Sequence, residues 1–172
     1  MNQNVKKVED SYGEFWSYLS QNQKDLILEG NFLMNDVIRH HNYSFKDYSF
    51  LIFPYAKAFE GYLKKLFLDL GYISHLDYIS DHLRLGKLMS PQLVDHLGDR
   101  SLFKQIKDHS TKETADMIWE TWKVGRNQVF HYFPHNTRCV TFEEAEATVN
   151  RIIMTMKEAH EKLHVTNKKS ED

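Results

Sequence analysis

The sequence predicts an all-α protein, a compact helical bundle of four to six helices. Apolar residues recur at intervals of three and four positions along most of the chain, which is the periodicity of amphipathic helices. Glycine and proline are scarce, at seven and three in 172 residues, and few segments alternate as strands do. Two Ser/Thr-x-x-Glu patterns also mark helix N-termini. Together these observations favour helices over sheets.

The N-terminal part of the chain is expected to form three helices. Residues 11–20 form a short one, and residues 22–40 form a second that ends near His40. The third extends from about Phe50 to Leu70, with Pro54 in its first turn or at a kink, and Gly71 ends it. The side chains predicted to face the core are Phe15, Trp16, Leu19, Leu26, Ile27, Phe32, Leu33, Val37, Ile38, Ile52, Ala56, Phe59, Leu63, Leu66 and Leu70.

The middle of the chain, residues 72–109, carries weaker signals. Ser90-Pro91 matches an N-cap followed by proline in the first helical turn. A short helix is expected over 93–97, ended by Gly98, and another over 101–107. This part is interpreted as an insertion or variable region.

The last two helices have the clearest boundaries. Ser110-Thr-Lys-Glu113 and Thr141-Phe-Glu-Glu144 each fit a capping box at a helix N-terminus. The connection at 132–138 contains Pro134, which disfavours helix before it. The side chains expected inside are Ala115, Ile118, Trp119, Trp122 and Val129 in the first helix, and Val149, Ile152, Ile153, Met156 and Leu163 in the second.

Composition limits the classes of function. The length suits a single domain over residues 1–165, followed by a polar flexible tail at 166–172. No apolar run reaches the roughly 20 residues that span a bilayer, and no signal peptide is visible, so a cytoplasmic protein without a membrane partner is expected. The single cysteine, Cys139, excludes an internal disulfide framework. A net charge of −2 argues against a wide basic face that coats nucleic acid, so RNA binding would depend on a few local cations.

Arg126 and His131 form the strongest candidate catalytic pair. They are about 1.4 helical turns apart near the end of the predicted helix, beside the apolar stripe marked by Trp122. Imidazole can take a proton from the 2′-hydroxyl of RNA or give one to the leaving 5′-oxygen. Guanidinium can grip two phosphate oxygens as negative charge builds, and the amide of Asn127 can orient the imidazole or the phosphate. This scheme needs no metal or other cofactor.

The specificity of this pattern depends on Asn127. In a chain of this composition the Arg-x4-His spacing arises by chance about one time in three, whereas requiring Asn directly after Arg lowers that to about 2%. The structural alternative is a surface arginine and a histidine that caps a helix end.

The segment Arg126-Asn-Gln-Val-Phe-His131 resembles the signature of the HEPN superfamily, Arg-x4–6-His, often with a polar residue after the arginine. The resemblance covers residues 22–165, with the motif as its specific part. It implies a metal-independent endoribonuclease that forms a homodimer, so that two motifs line one composite cleft. It further implies a toxin or antiviral defence effector controlled by an antitoxin or regulatory protein. The alternative is a HEPN-like module that binds RNA or protein without cleaving.

A second segment, Tyr55 to Lys64, is similar to the helix that precedes the motif in RnlA/LsoA-type toxins, the nearest resemblance within the superfamily. Those toxins place a basic residue and a glutamate three positions apart in the active site, and the matching positions here are Lys57 and Glu60. The resemblance implies that Glu60 anchors Arg126 while Lys57 and Lys64, on the same helix face, help to hold phosphate. The alternative is a solvated ion pair worth a few tenths of a kcal/mol.

A further HEPN branch carries a tyrosine two positions after the histidine, which a nucleotidyltransferase antitoxin modifies. The corresponding residue here is Phe133, next to Tyr132. That mode of neutralisation is therefore not expected unless Tyr132 takes the role.

His160-Glu-Lys-Leu-His164 matches the H-E-x-x-H pattern of zinc proteases. A catalytic zinc needs a third protein ligand, and only eight residues follow His164, none of them histidine. Leu163 also lies on the buried stripe. The pair is therefore interpreted as helix-end histidines, and no metal site is predicted.

Overall fold

The structure is a computed structural model that describes residues 13–40, 44–127, 129–130 and 139–164, without the side chains of Val37 and His164. Several sequence-based predictions lie outside the described residues. They concern His131, the connection at 132–138 with Tyr132 and Phe133, and the tail at 166–172.

The all-α fold class is confirmed, because every regular element in the described part of the chain is a helix. Within that part the helices are more numerous and shorter than predicted. The α-helices are α1 (13–18), α2 (Gln21–Phe32), α3 (Phe53–Asp69), α4 (His75–Ile79), α5 (Leu85–Leu88), α6 (Val94–Leu97), α7 (Leu102–His109), α8 (Lys112–Trp122) and α9 (Phe142–Ala159). Short 3₁₀ segments at Ser49–Leu51, Pro91–Leu93 and Gly98–Arg100 join them.

Three helices continue into a wider π-helical turn, in which hydrogen bonds reach one residue further than in an α-helix. These turns are Leu33–Ile38 after α2, Lys123–Asn127 after α8 and His160–His164 after α9. No described helix is long and apolar enough to cross a membrane.

The chain divides into two compact units. The first comprises Met1–Tyr62 and Tyr132–Ile153, and the second comprises Leu63–His131 and Met154–Asp172. Helices α3 and α9 each contribute residues to both units. The single domain expected over residues 1–165 remains a prediction.

The first unit has an aromatic core around Tyr62 of α3. The rings of Phe15 and Tyr18 meet the Tyr62 ring edge to face, with centroids 5.8 and 6.0 Å away. Burial, with a smaller contribution from Tyr18, raises the pKa of Tyr62 well above its usual value. The phenol of Tyr55 donates to Oδ1 of Asn31 at 2.7 Å and so joins α3 to α2.

Most helix boundaries in the first unit follow the predictions. The capping box at Thr141 is confirmed, since its amide donates to Glu144 Oε2 at 2.9 Å and its hydroxyl accepts from the Glu144 amide at 3.1 Å. The prediction for Phe32 is wrong: it was expected to face the core, but the residue is 61% exposed. Ile27 lies on the buried face of α2. Phe32 follows five residues later, and in a helix this interval places it about 140° around the axis from Ile27.

In the second unit, α3 ends just before Gly71, as predicted, and Gly71 itself has a φ of 72°. The start of α8 differs from the prediction by one residue. Its N-cap is Thr111, whose hydroxyl accepts from the Thr114 amide at 3.2 Å. Ser110 instead ends α7, and its hydroxyl bonds to that of Thr114.

The end of α8 also differs from the prediction. The regular helix stops at Trp122 and the π-helical turn at Asn127, so Val129 lies in a following turn and is only half-buried. Trp119, predicted inside, is also only half-buried. Ile118 and Trp122 are buried as predicted, and Thr121 is buried as well.

A buried pair of hydroxyls links α8 to the end of α9. The side chains of Thr121 and Thr155 share a hydrogen bond of 2.8 Å, and both residues are buried. Replacing Thr121 by valine is expected to lower the free energy of unfolding by about 1–3 kcal/mol, because the buried Thr155 hydroxyl loses this bond. The double variant T121V/T155V should regain part of that loss in urea denaturation. An equally large deficit in the double variant would contradict a role for the bond.

Candidate active site

The predicted site residues lie on α3 and on the π-helical turn after α8. Lys57 and Glu60 belong to the first unit. Lys64, Arg126 and Asn127 belong to the second, and His131 is outside the described residues. Each group is described within its own unit.

Arg126 lies against the face of Trp122. The guanidinium carbon is 5.2 Å from the centroid of the Trp122 ring, and Arg126 is half-buried. A cation–π contact of this kind stabilises a partly desolvated guanidinium without using its N–H donors. The contact thus offsets part of the cost of placing a cation beside the apolar stripe, and it orients the arginine.

Trp122, predicted from the sequence as a core residue alone, also contacts the guanidinium of Arg126. Its side chain is 4% exposed, so the ring is held by packing. Gly86 of α5 lies directly against the indole, since a Cβ at this position would be 2.7 Å from Trp122 Nε1. Trp122 and Arg126 are four residues apart, an interval at which helix side chains are neighbours. The sequence alone therefore indicated that the two side chains could stack. No pattern in the sequence indicated the role of Gly86.

The π-helical turn alters the geometry expected between the two motif residues. The predicted offset of 1.4 turns assumed a continuous α-helix from Arg126 to His131. Arg126 and the exposed Asn127 instead lie in Lys123–Asn127, and residues 129–130 form a turn. Such turns occur frequently at functional sites, but α2 and α9 also end in them, so this feature alone does not mark the site.

The basic face of α3 follows the predicted spacing. Lys57 is exposed, whereas Glu60 and Lys64 are half-buried. Lys57 forms no ion pair with Glu60, which makes interactions of its own. The lysine is therefore accessible to an anion, and the roles assigned to Lys57, Glu60 and Lys64 remain predictions.

The H-E-x-x-H segment coincides with the π-helical turn His160–His164. His160 is buried, and Leu163 is buried as predicted. Within the residues described, no group of three histidine, cysteine, aspartate or glutamate side chains is arranged to hold a metal ion. The interpretation of this segment as helix-end histidines remains a prediction.

Comparison with known proteins adds no relative. The HEPN resemblance stays an expectation from the motif of Arg126 and His131. No family model, no curated protein and no solved structure matches this chain.

Proposed function

We propose that this protein is a metal-independent endoribonuclease of the HEPN type. The observation that supports the proposal most is the position of Arg126, half-buried and stacked on Trp122, directly before Asn127 in the Arg-Asn-x-x-x-His motif. A pre-oriented guanidinium suits the charge that develops on phosphate oxygens during cleavage, because little reorganisation is then needed.

In the proposed reaction the 2′-oxygen of RNA attacks the adjacent phosphorus. His131 takes the proton from the 2′-hydroxyl as the new P–O bond forms. The P–O5′ bond breaks, and a protonated imidazole delivers a proton to the leaving oxygen. The products are a 2′,3′-cyclic phosphate and a 5′-hydroxyl, so water is not consumed in this step.

Arg126 is assigned to the two non-bridging phosphate oxygens, where its planar fork can donate two parallel hydrogen bonds. Asn127 is assigned to orienting His131 or the phosphate. In the proposed homodimer two copies of the motif share one cleft, so one His131 acts as base and the other as acid. Glu60 is proposed to anchor Arg126, with Lys57 and Lys64 holding flanking phosphates.

Replacing Arg126 by glutamine is expected to lower kcat by about 10²–10³-fold, the range seen when one transition-state donor is lost. R126K should remain impaired, because lysine keeps the charge and loses the bidentate fork. The measurement is cleavage of a labelled RNA with analysis of product ends. The control is R151Q, which removes an equal charge from an exposed position on α9.

Three results bear on the mechanism directly. Cleavage should persist in EDTA, and the products should carry 2′,3′-cyclic phosphate. Products with 3′-hydroxyl ends, or activity lost on chelation, would contradict attack by the 2′-hydroxyl without a metal. Full activity in a strictly monomeric sample would contradict the composite cleft.

A non-catalytic HEPN-like module is the alternative. The stacked guanidinium of Arg126 could hold phosphate without any contribution from His131. This alternative predicts that the wild-type protein binds RNA, that R126Q weakens binding, and that no cut ends appear. If the protein binds RNA from the cell that produces it and leaves that RNA uncut, the result would favour this alternative.

A further inference from the structure

A pocket of about 360 Å³ opens in the second unit, in the part of the chain that sequence analysis interpreted as a variable insertion. Residues of α4, α5 and α6 line it, together with the loop before α5 and the 3₁₀ segment before α7. A volume of this size is within the range of small-molecule sites. Its charged lining residues are Asp77, Arg84, Lys87 and Arg100, and His82 lines it as well.

The carboxylate of Asp77 is already committed to other groups. Its Oδ2 accepts from the hydroxyl and the amide of Ser74, at 2.7 and 3.1 Å. Its Oδ1 lies 3.7 Å from Nη2 of Arg100. The hydrogen bonds from Ser74, and to a smaller extent Arg100, lower the pKa of Asp77. It therefore stays ionised and offsets the charge of Arg100.

Arg84 and Lys87 leave the pocket with positive charge that no lining residue balances. Both are exposed, and neither forms an ion pair with any residue in the described part of the chain. Arg84 is the N-cap residue of α5 and Lys87 lies in its single turn, and both line the pocket. The pocket thus carries two uncompensated cations together with a third, Arg100, that is paired with Asp77.

The chemistry of this lining favours phosphate. Guanidinium groups donate paired hydrogen bonds to phosphate oxygens, and an ammonium group adds a compact point charge. Leu88 and Leu97 contribute apolar wall, which suits a phosphate attached to an organic group. We propose that this pocket binds a phosphate group, carried either by a free nucleotide or by an RNA strand.

The test is isothermal titration of the full chain with three probes: inorganic pyrophosphate, ADP and a short 2′-O-methyl RNA, which lacks the nucleophile and cannot be cut. R84Q/K87Q is expected to weaken pyrophosphate binding by about tenfold or more, because hydrogen bonds to charged groups are lost. The matched control R151Q should change binding by less than about twofold, as expected for an exposed charge that does not line the pocket.

The probes identify the source of the phosphate. If the protein binds ADP and R84Q/K87Q weakens that binding, the pocket is assigned to a free nucleotide. If R84Q/K87Q weakens the binding of the RNA and not of ADP, the pocket is assigned to an RNA strand. Equal binding by the wild type and R84Q/K87Q, or an equal loss in R151Q, would overturn the proposal. Both substituted side chains are exposed, and the single variant K87Q repeats the test if the double variant unfolds. None of these results depends on RNA cleavage.

Discussion

Replacing His131 by alanine is expected to lower RNA cleavage by about 10²–10⁴-fold, the usual contribution of a general acid or base. In the proposed composite cleft the same side chain serves as base in one copy and as acid in the other, so one substitution removes both functions. The upper part of that range is therefore expected. The measurement is the single-turnover rate on a labelled RNA, together with growth inhibition on expression.

His135 offers a matched control, because it is a histidine four residues further along the chain. H135A should retain cleavage, whereas H131A should retain RNA binding and lose cleavage. Since Arg126 and the lysines of α3 are unchanged in H131A, binding to uncut RNA should stay within about twofold. If H131A cleaves RNA or inhibits growth as the wild type does, the ribonuclease proposal is wrong.

Replacing Trp122 by alanine is expected to lower the free energy of unfolding by about 3–5 kcal/mol, the range for removing a large aromatic side chain from a packed core. The ring is 4% exposed and lies against Gly86, so little of the resulting cavity can be filled by simple collapse. A total stability of about 5–15 kcal/mol is typical of a domain. Thermal or urea denaturation should therefore show a large shift.

The conservative variant W122F separates stability from positioning. Phenylalanine keeps an aromatic face for Arg126, so W122F should retain most RNA cleavage, whereas W122L should cleave RNA less efficiently even under conditions where it is folded. Loss of the cation–π contact, worth about 0.5–2 kcal/mol, should raise KM or lower kcat by about two- to thirtyfold. Wild-type kinetics in folded W122L would show that the ring does not position Arg126.

Helices were predictable wherever local chemistry defines them. The capping box of Thr141 and Glu144 and the left-handed Gly71 act within a few residues, so the sequence alone reveals them. The start of α8 was displaced because two adjacent hydroxyl residues, Ser110 and Thr111, can each cap a helix. In the structure Ser110 is the C-cap of α7, and Thr111 takes the N-cap position of α8.

The sequence motif nominates the residues of the candidate site, which stay a prediction, whereas their surroundings come only from the structure. Arg126 was found from the motif, and its partner Trp122 was visible at the right interval. The close approach of Gly86 depends on how α5 meets α8, which no local pattern encodes. The cationic pocket was missed for a related reason. Arg84 and Lys87 come from the N-cap and the single turn of α5, and Arg100 comes from the 3₁₀ segment before α7, each too brief to show a periodicity.

The π-helical turn at Lys123–Asn127 makes the spacing within the motif sensitive to chain length. Such a turn accommodates one residue more than an α-helix would at the same place. Deleting one residue, such as Val124, would allow the turn to close into a regular α-helix and would leave Arg126 three positions after Trp122 instead of four, in a different direction around the axis. Substitutions at Val124 would leave that register intact, whereas a shortening by one would move Arg126 off the indole. Insertions and deletions, rather than point changes, are thus the sequence differences to which this end of α8 is most vulnerable.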